Sequence, residues 1–451
     1  MMNLIKEPSE ILKTAFAKAL SIADPRQSLP RALQTAFPAP LEGRCIVVGA
    51  GKAGASMAAA FEEFAKAHWP NAQIEGLIIT RYGHDIDNPP LKRAIKIIEA
   101  AHPVPDQAGF EAAKKMRELI LTIKPGDHLI ALISGGGSSL LSLPAGEVVM
   151  QDLKELTKIL LRSGAPIEEM NVVRKHLSAL QGGHLAKLAV ERGAKVDAFI
   201  ISDVTGDKAE DIASGPCAAD SSTYADALAI LNKYNLLGKD SAIAPSIIQH
   251  LTLGAQGQIP ETLKSHDPEL ASIRNHVFAT AYASLEAAAA YCQSLGIDTL
   301  ILGDNLTGEA SEVAKEQAAL TKAIIEGAHD KKMPIAIISG GECTVTIPKG
   351  IHGRGGRCSE FLLSYLQQTQ HLEHISALAA DTDGIDGSEN NAGAWFTPQV
   401  IQDLKTQSLD AQLFLDQHDA FGFFEKTNSL LFTGPTLTNV NDFRILLIQS
   451  K

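Results

Sequence analysis

The sequence predicts an α/β protein of two domains, and three observations carry that prediction. The chain has 451 residues, more than one ordinary domain uses. Short β-branched runs alternate with helical patterns along most of its length. Its composition, 45% hydrophobic and 20% charged, is that of a folded globular chain and too apolar for disorder.

The elements follow in order. MMNLIKEPSEILKTAFAKAL carries acidic residues and no continuous apolar stretch, so it reads as an amphipathic helix and not a signal peptide. RCIVV (44–48) is a strand and 52–68 an Ala-rich helix. IEGLIIT (74–80) and IKIIE (95–99) are strands, then a helix runs from Asp106 to Leu121. HLIALIS (128–134) is a strand, helical patterns fill 151–192, and VDAFIIS (196–202) is the next strand. Apolar strands separated by amphipathic helices imply a parallel sheet covered on both faces, a doubly wound domain with ligands at the carboxyl ends of its strands.

The stretch 236–275 is rich in Gly, Pro and polar residues and reads as a boundary. A second alternation follows: HVFATA, a helix over 282–294, TLILG, and a helix over 309–327. PIAIISGGECTVTI then reads as strand, glycine turn and strand, which implies mixed pairing. A helix (359–368), ISALAA (375–380) and RILLI (444–448) complete this half. The division is therefore 1–250 and 251–451, with the site expected in a cleft between the domains.

Net charge of −12 argues against a nucleic-acid or membrane-surface binder, because both partners select basic faces. Five scattered cysteines (Cys45, Cys217, Cys292, Cys343, Cys358) show no ligand spacing and imply reduced thiols in a cytoplasmic protein. The longest apolar runs are strand-length, so no membrane span is expected.

Four glycine-rich segments carry the chemistry. In VVGAGKAGASM, Gly49, Gly51 and Gly54 satisfy G-x-G-x-x-G between a strand and a helix, the context of a dinucleotide site. However, the next strand ends in Thr80-Arg81, with no acid for a ribose, and Lys52 places a positive charge inside the loop. Arg81 keeps an NADP variant open. Ser134, Gly135, Gly136, Gly137, Ser138 and Ser139 form a second loop, a phosphate nest that is not a Walker A motif. Gly340, Gly341 and Glu342 mark the third. In the fourth, GRGGRCSEFLL, Arg354 and Arg357 stand at a glycine-rich helix entrance and suit an anion.

Acidic residues cluster beyond two strands: Asp203 and Asp207 after the first, Asp381, Asp383 and Asp386 after the second. Carboxylates there suit a Mg²⁺–nucleotide site, whereas Asx-turn chemistry is the plainer alternative. The EF-hand spacing is not met. In NVVRKHLSALQGGHLA, Arg174 and Lys175 are candidates for a substrate carboxylate, and His176 and His184 read as structural, with a base role as the alternative.

Together, GAGKAG, SGGGSSLL, NVVRKHLSALQGGHLA, ISDVTGD with IASGP, SGGE, GRGGRCSE, DTDGIDG and TNVNDFRIL resemble, in that order and over nearly the whole chain, the class II glycerate 2-kinases with a C-terminal MOFRL domain. The resemblance implies a Rossmann-like N-terminal domain, a smaller mixed α/β C-terminal domain, and an active site in the interdomain cleft. It implies ATP- and Mg²⁺-dependent phosphorylation of the 2-hydroxyl of D-glycerate, with Lys52 and Arg357 as catalytic residues. The metal would fall to Asp203, Asp207, Asp383 and Asp386, the substrate to Arg174, Lys175 and Arg354, and the phosphates to the glycine loops. The partners are these two small molecules, with a homo-oligomer left open. Cys358 stands where the family usually has Asn, which marks it as an oxidation-sensitive point. Some relatives are labelled hydroxypyruvate reductases, so reduction with NADH or NADPH is the alternative activity.

Overall fold

The computed structural model describes residues 7–86, 92–238, 242–407 and 409–450. It forms two compact units, Pro25–Phe278, and Met1–Asp24 with Ala279–Lys451. These bounds differ from a division at 250. The helix Pro8–Ala23 buries Ile11, Leu12, Ala15 and Phe16 in a core built with Leu285, Ala288, Leu378 and Phe443, so it joins the C-terminal unit. Its apolar stripe was legible, but a stripe does not name its partner.

The first unit holds a six-stranded sheet. Its strands are β1 (Gly43–Ala50), β2 (Ala72–Arg81), β3 (Ile95–Ala100), β4 (His128–Ile133), β5 (Lys195–Ile201) and β6 (Ile273–Ala279). Their order is β3-β2-β1-β4-β5-β6, and the pairs β1–β2, β2–β3, β1–β4 and β4–β5 are parallel. This is the Rossmann order, with its direction of winding reversing between β1 and β4. The strands form because runs such as HLIALI are apolar at every position, and every residue of β4 is buried. Ile46, Val48, Leu129, Ala131, Ile133, Ala198 and Ile200 build the core.

The HVFA of HVFATA (276–279) lies in β6, so it closes this sheet and does not open the next one. The stretch 236–275 also contains the helix Pro245–Ala255, which buries Ile247 and Leu251. Pro245, part of the composition that reads as a boundary, opens this helix at its first position, where proline favours a helix start. Part of LLGKDSAIAP, residues 239–241, lies outside the described residues.

The second unit carries a mixed sheet, also of six strands. Its strands are β7 (Asp298–Glu309), β8 (Ile335–Thr344), β9 (Ile375–Asp381), β10 (Gly393–Phe396), β11 (Leu430–Leu431) and β12 (Asp442–Ile448). The order is β11-β10-β9-β12-β8-β7, with β7–β8 parallel and the other pairs antiparallel. The expected strand–turn–strand at SGGE is instead one continuous strand, β8. Gly341 pairs with Leu306 across a bulged part of β7 at φ 118°, and a Cβ there would overlap the Leu306 carbonyl. The glycines thus admit a close strand neighbour where a turn was expected.

Candidate active site

In the first unit the loops after β1 and β4 meet at the point where the winding reverses. Gly51 has φ 141°, and a Cβ on it would overlap Ser134 Oγ. The amides of the first loop are all engaged inside the protein. Gly51 N–H donates to the Ile79 carbonyl (3.1 Å), Lys52 N–H to Gly135 (2.9 Å) and Gly54 N–H to Gly51 (2.9 Å). Ala53 N–H donates to Ser134 Oγ (3.1 Å). Thr80 at the end of β2 is buried and donates its hydroxyl to the Gly51 carbonyl at 3.1 Å. A pyrophosphate cradle needs free amides at this loop, and these are taken.

The second loop is arranged differently. Ser134 N–H donates to the Ala50 carbonyl (3.1 Å) and Gly137 N–H to the Ser134 carbonyl (3.2 Å), and the Ser139 hydroxyl donates to the Gly136 carbonyl (3.2 Å), as the loop enters the short helix Gly137–Leu140. Ser138 Oγ lies 2.9 Å from Ser214 Oγ, and Gln181 holds the Ser138 carbonyl at 2.6 Å. Lys52 and Asp203 flank this loop. The Lys52 stem lies 3.5 Å from where a Cβ on Gly136 would stand, and a Cβ on Gly135 would overlap the Asp203 carboxylate. Structure therefore brings together Lys52, the loop 134–139 and Asp203. Further along the same segment, Asp207 Oδ1 is buried without a hydrogen-bond partner.

Arg174 and Lys175, at the end of the helix Ile167–Lys175, have opposite surroundings. The Lys175 ammonium is buried 3.4 Å from Asp220 Oδ1. Arg174 has no carboxylate partner among the described residues, and burial alone pushes its pKa below the ordinary value. His176 is fully buried, and burial pushes the His184 pKa down to about 4, leaving it neutral at physiological pH.

In the second unit Arg357 opens the helix Arg357–Thr369. Its Nε donates to Asp442 Oδ1 and its Nη2 to Asp381 Oδ2, both at 2.7 Å. Nη1 carries no partner among the described residues. Burial opposes its charge, yet Asp442 and Asp381 outweigh that and raise its pKa. Arg354 is exposed and faces Asp419 and Glu425, each at 3.4 Å. Both guanidiniums thus lie against carboxylates, and the bare two-arginine anion site expected at this helix entrance is not formed. Sequence reasoning missed Asp442 altogether, because nothing local marks a partner 85 positions away.

The acidic cluster divides by role. Asp386 is fully buried; it accepts from Cys358 N–H (2.9 Å), Ser359 N–H (2.8 Å) and the Ser359 hydroxyl (2.5 Å). Both its oxygens therefore cap the helix that carries Arg357. Asp381 is pushed well above the usual carboxylate range by burial and next by Asp383, despite Arg357. Cys358 is fully buried with its thiol pushed far up by burial, which makes it inert where an oxidation-sensitive point was expected. Among the described residues, no group of three or more His, Cys, Asp or Glu gathers as a metal site. No helix there is long and apolar enough to cross a membrane.

Two family models match the chain: "Domain of unknown function (DUF4147)" over residues 11–252 and the MOFRL family over 335–442. A protein of Agrobacterium vitis, whose name is a provisional hydroxypyruvate reductase, is 44% identical over 97% of this chain and 94% of its own. The glycerate 2-kinase of Pyrococcus horikoshii is 37% identical over 91% of this chain and 89% of its own. The crystal structure of a glycerate kinase from Thermotoga maritima superposes with a TM-score of 0.85 at 33% identity, covering 98% of this chain and all of that one. The chain belongs to the glycerate kinase family that joins a DUF4147 domain to a MOFRL domain.

Proposed function

We propose that this protein transfers the γ-phosphoryl group of ATP to the 2-hydroxyl of D-glycerate, giving 2-phosphoglycerate and ADP. Near-full-length likeness to a named glycerate 2-kinase supports the reaction class. The observation that carries it over nicotinamide chemistry is the first loop, whose amides at 51, 52, 53 and 54 are all bonded within the protein. Thr80 in place of a ribose-binding acid points the same way.

Phosphoryl transfer asks for positioning and neutralised charge more than covalent chemistry. The loop Ser134–Ser139 offers amides and hydroxyls to phosphate oxygens, and Lys52 offers its charge to the group in flight. Arg357, held on Nε and Nη2, offers Nη1 to charge developing on the transferred group. Arg174 suits the glycerate carboxylate, because a half-buried cation without an anion costs stability unless a ligand completes it. The 2-hydroxyl oxygen bonds to the γ-phosphorus and loses its proton, while the bond from γ-phosphorus to the bridging oxygen breaks and ADP leaves.

Mg²⁺ beside a nucleotide needs only one or two carboxylates, because phosphate oxygens and water complete its shell. Asp207, on the segment after β5 that also carries Asp203, presents an orphaned buried oxygen. Asp203 and Asp207 are assigned to the ion, whose chemistry would be to neutralise phosphate oxygens; Asp386 is assigned to its helix cap.

The test is turnover of D-glycerate with ATP and Mg²⁺, product identified by phosphorus NMR, beside hydroxypyruvate with NADH or NADPH followed by absorbance. Formation of 2-phosphoglycerate is expected. Nicotinamide oxidation without phosphoryl transfer would refute the kinase reading.

A further inference from the structure

Arg444 is fully buried in β12, within the apolar run Phe443, Ile445, Leu446, Leu447 and Ile448. A charge there is expensive, and replacing a whole buried ion pair by apolar groups of similar volume is often neutral or stabilising for folding. Its contacts suggest why it is retained. Nη2 donates to Asp442 Oδ2 at 2.6 Å and to Cys343 Sγ at 3.0 Å, and Nη1 donates to the Gly340 carbonyl at 3.0 Å. The guanidinium carbon lies 5.1 Å from the centre of the Phe361 ring. Phe361 is four residues after Arg357 on the same helix, hence on the same face.

Asp442 is thus shared by two arginines, Arg444 on one oxygen and Arg357 on the other. Without Arg444, Oδ2 would keep only the Cys343 amide at 3.4 Å, and the carboxylate would be free to turn. We propose that Arg444 is a positioning residue for the transfer: it fixes Asp442, Asp442 fixes Arg357 Nε, and Nη1 of Arg357 is left aimed and unshared. Through Gly340 and Cys343 the same guanidinium ties the SGGE segment of β8 to this arrangement. The inference rests on the role given to Arg357 above, and it adds a residue that touches neither ATP nor glycerate.

The experiment is a kinetic double-mutant cycle with ATP, Mg²⁺ and D-glycerate on Arg444→Met, Arg357→Ala and the double variant, with thermal melting of each. Arg444→Met is expected to lower kcat roughly 10- to 100-fold, the scale of a misplaced group, with both KM values little changed. In the Arg357→Ala background the same change is expected to cost nothing further, because the residue it positions is gone. Arg444→Lys, which can meet Asp442 but not three acceptors together, is expected to fall between. Losses that multiply independently would overturn the proposal and mark Arg444 as structural. Should Arg444→Met not fold, the isosteric Asp442→Asn cuts the same chain of contacts and is read by the same cycle. Near-normal turnover in Arg357→Ala would instead defeat the role of Arg357 itself, a result distinct from lack of coupling.

Discussion

Asp381 and Asp442 stand directly opposite each other across the antiparallel β9–β12 ladder. Two carboxylates in that register repel, and both are buried. Arg357 is bonded at 2.7 Å to each and makes the pairing tenable. The residue given a role in phosphoryl transfer is therefore also a structural bridge between two strands.

That double role sets the expectation for Arg357→Ala. Loss of the charge-stabilising contact is expected to lower kcat/KM by at least ~10²-fold. It also strands two buried carboxylates, so stability is expected to fall by about 3–5 kcal/mol, the usual cost of breaking a buried pair. Urea unfolding beside steady-state kinetics separates the effects. Lys52→Ala is expected to lower kcat/KM on the same ~10²-fold scale.

The thiols give a second test. All five cysteines are buried and free. Burial pushes Cys45, Cys217 and Cys292 up to about 12, with Asp197 adding to it at Cys45, and holds Cys358 well above its ordinary value. No thiol of the native protein should react with a disulfide reagent at pH 8 on the timescale of minutes, and all five should react in denaturant. Rapid labelling of Cys358 in the native state would contradict its placement.

A third test concerns pH and the far end of the first sheet. Asp197 on β5 is fully buried and accepts from His128 Nε2 at 2.7 Å, His276 Nε2 at 2.7 Å and Arg274 Nη2 at 2.9 Å. Burial would raise its pKa, but these three donors together hold it below the usual carboxylate range. The unfolded chain then binds the proton more tightly than the native one. The contribution is present above the unfolded carboxylate value, about 3.9, and is lost as pH falls from there toward the folded value. Asp197→Asn is expected to destabilise the protein at pH 7 and to flatten the fall in melting temperature below pH 4. An unchanged acid limb would mean that other carboxylates govern acid unfolding.

The strands were legible where every position is apolar, as in HLIALI, because a strand covered on both faces demands that composition. The two-residue β11 and the four-residue β10 were not, since neither is long enough to show a period. At the site, sequence marked Lys52, the serine–glycine loop and Asp203, which the sheet order gathers at the β1–β4 reversal. It could not mark the Asp442–Arg357 pair or the Asp197 cluster, whose partners lie 69 or more positions apart. One signal was available and unused: an arginine inside the apolar run DFRILLI is out of place for a core strand, and Arg444 proves to be fully buried.

Arg174 separates function from folding most cleanly. A cation half-buried without an anion lowers stability, and burial alone shifts its pKa downward. Arg174→Met keeps the aliphatic volume and removes the uncompensated charge. Its melting temperature is therefore expected to equal or exceed that of the parent. If Arg174 binds the glycerate carboxylate, the same variant should raise the KM for D-glycerate by about 10-fold or more, the scale of one charge-assisted hydrogen bond, and leave the KM for ATP near its original value. A matched rise in both KM values would move Arg174 from the substrate to a general effect on the fold. A lower melting temperature with unchanged kinetics would show that the guanidinium is satisfied in the native state and has no ligand to bind.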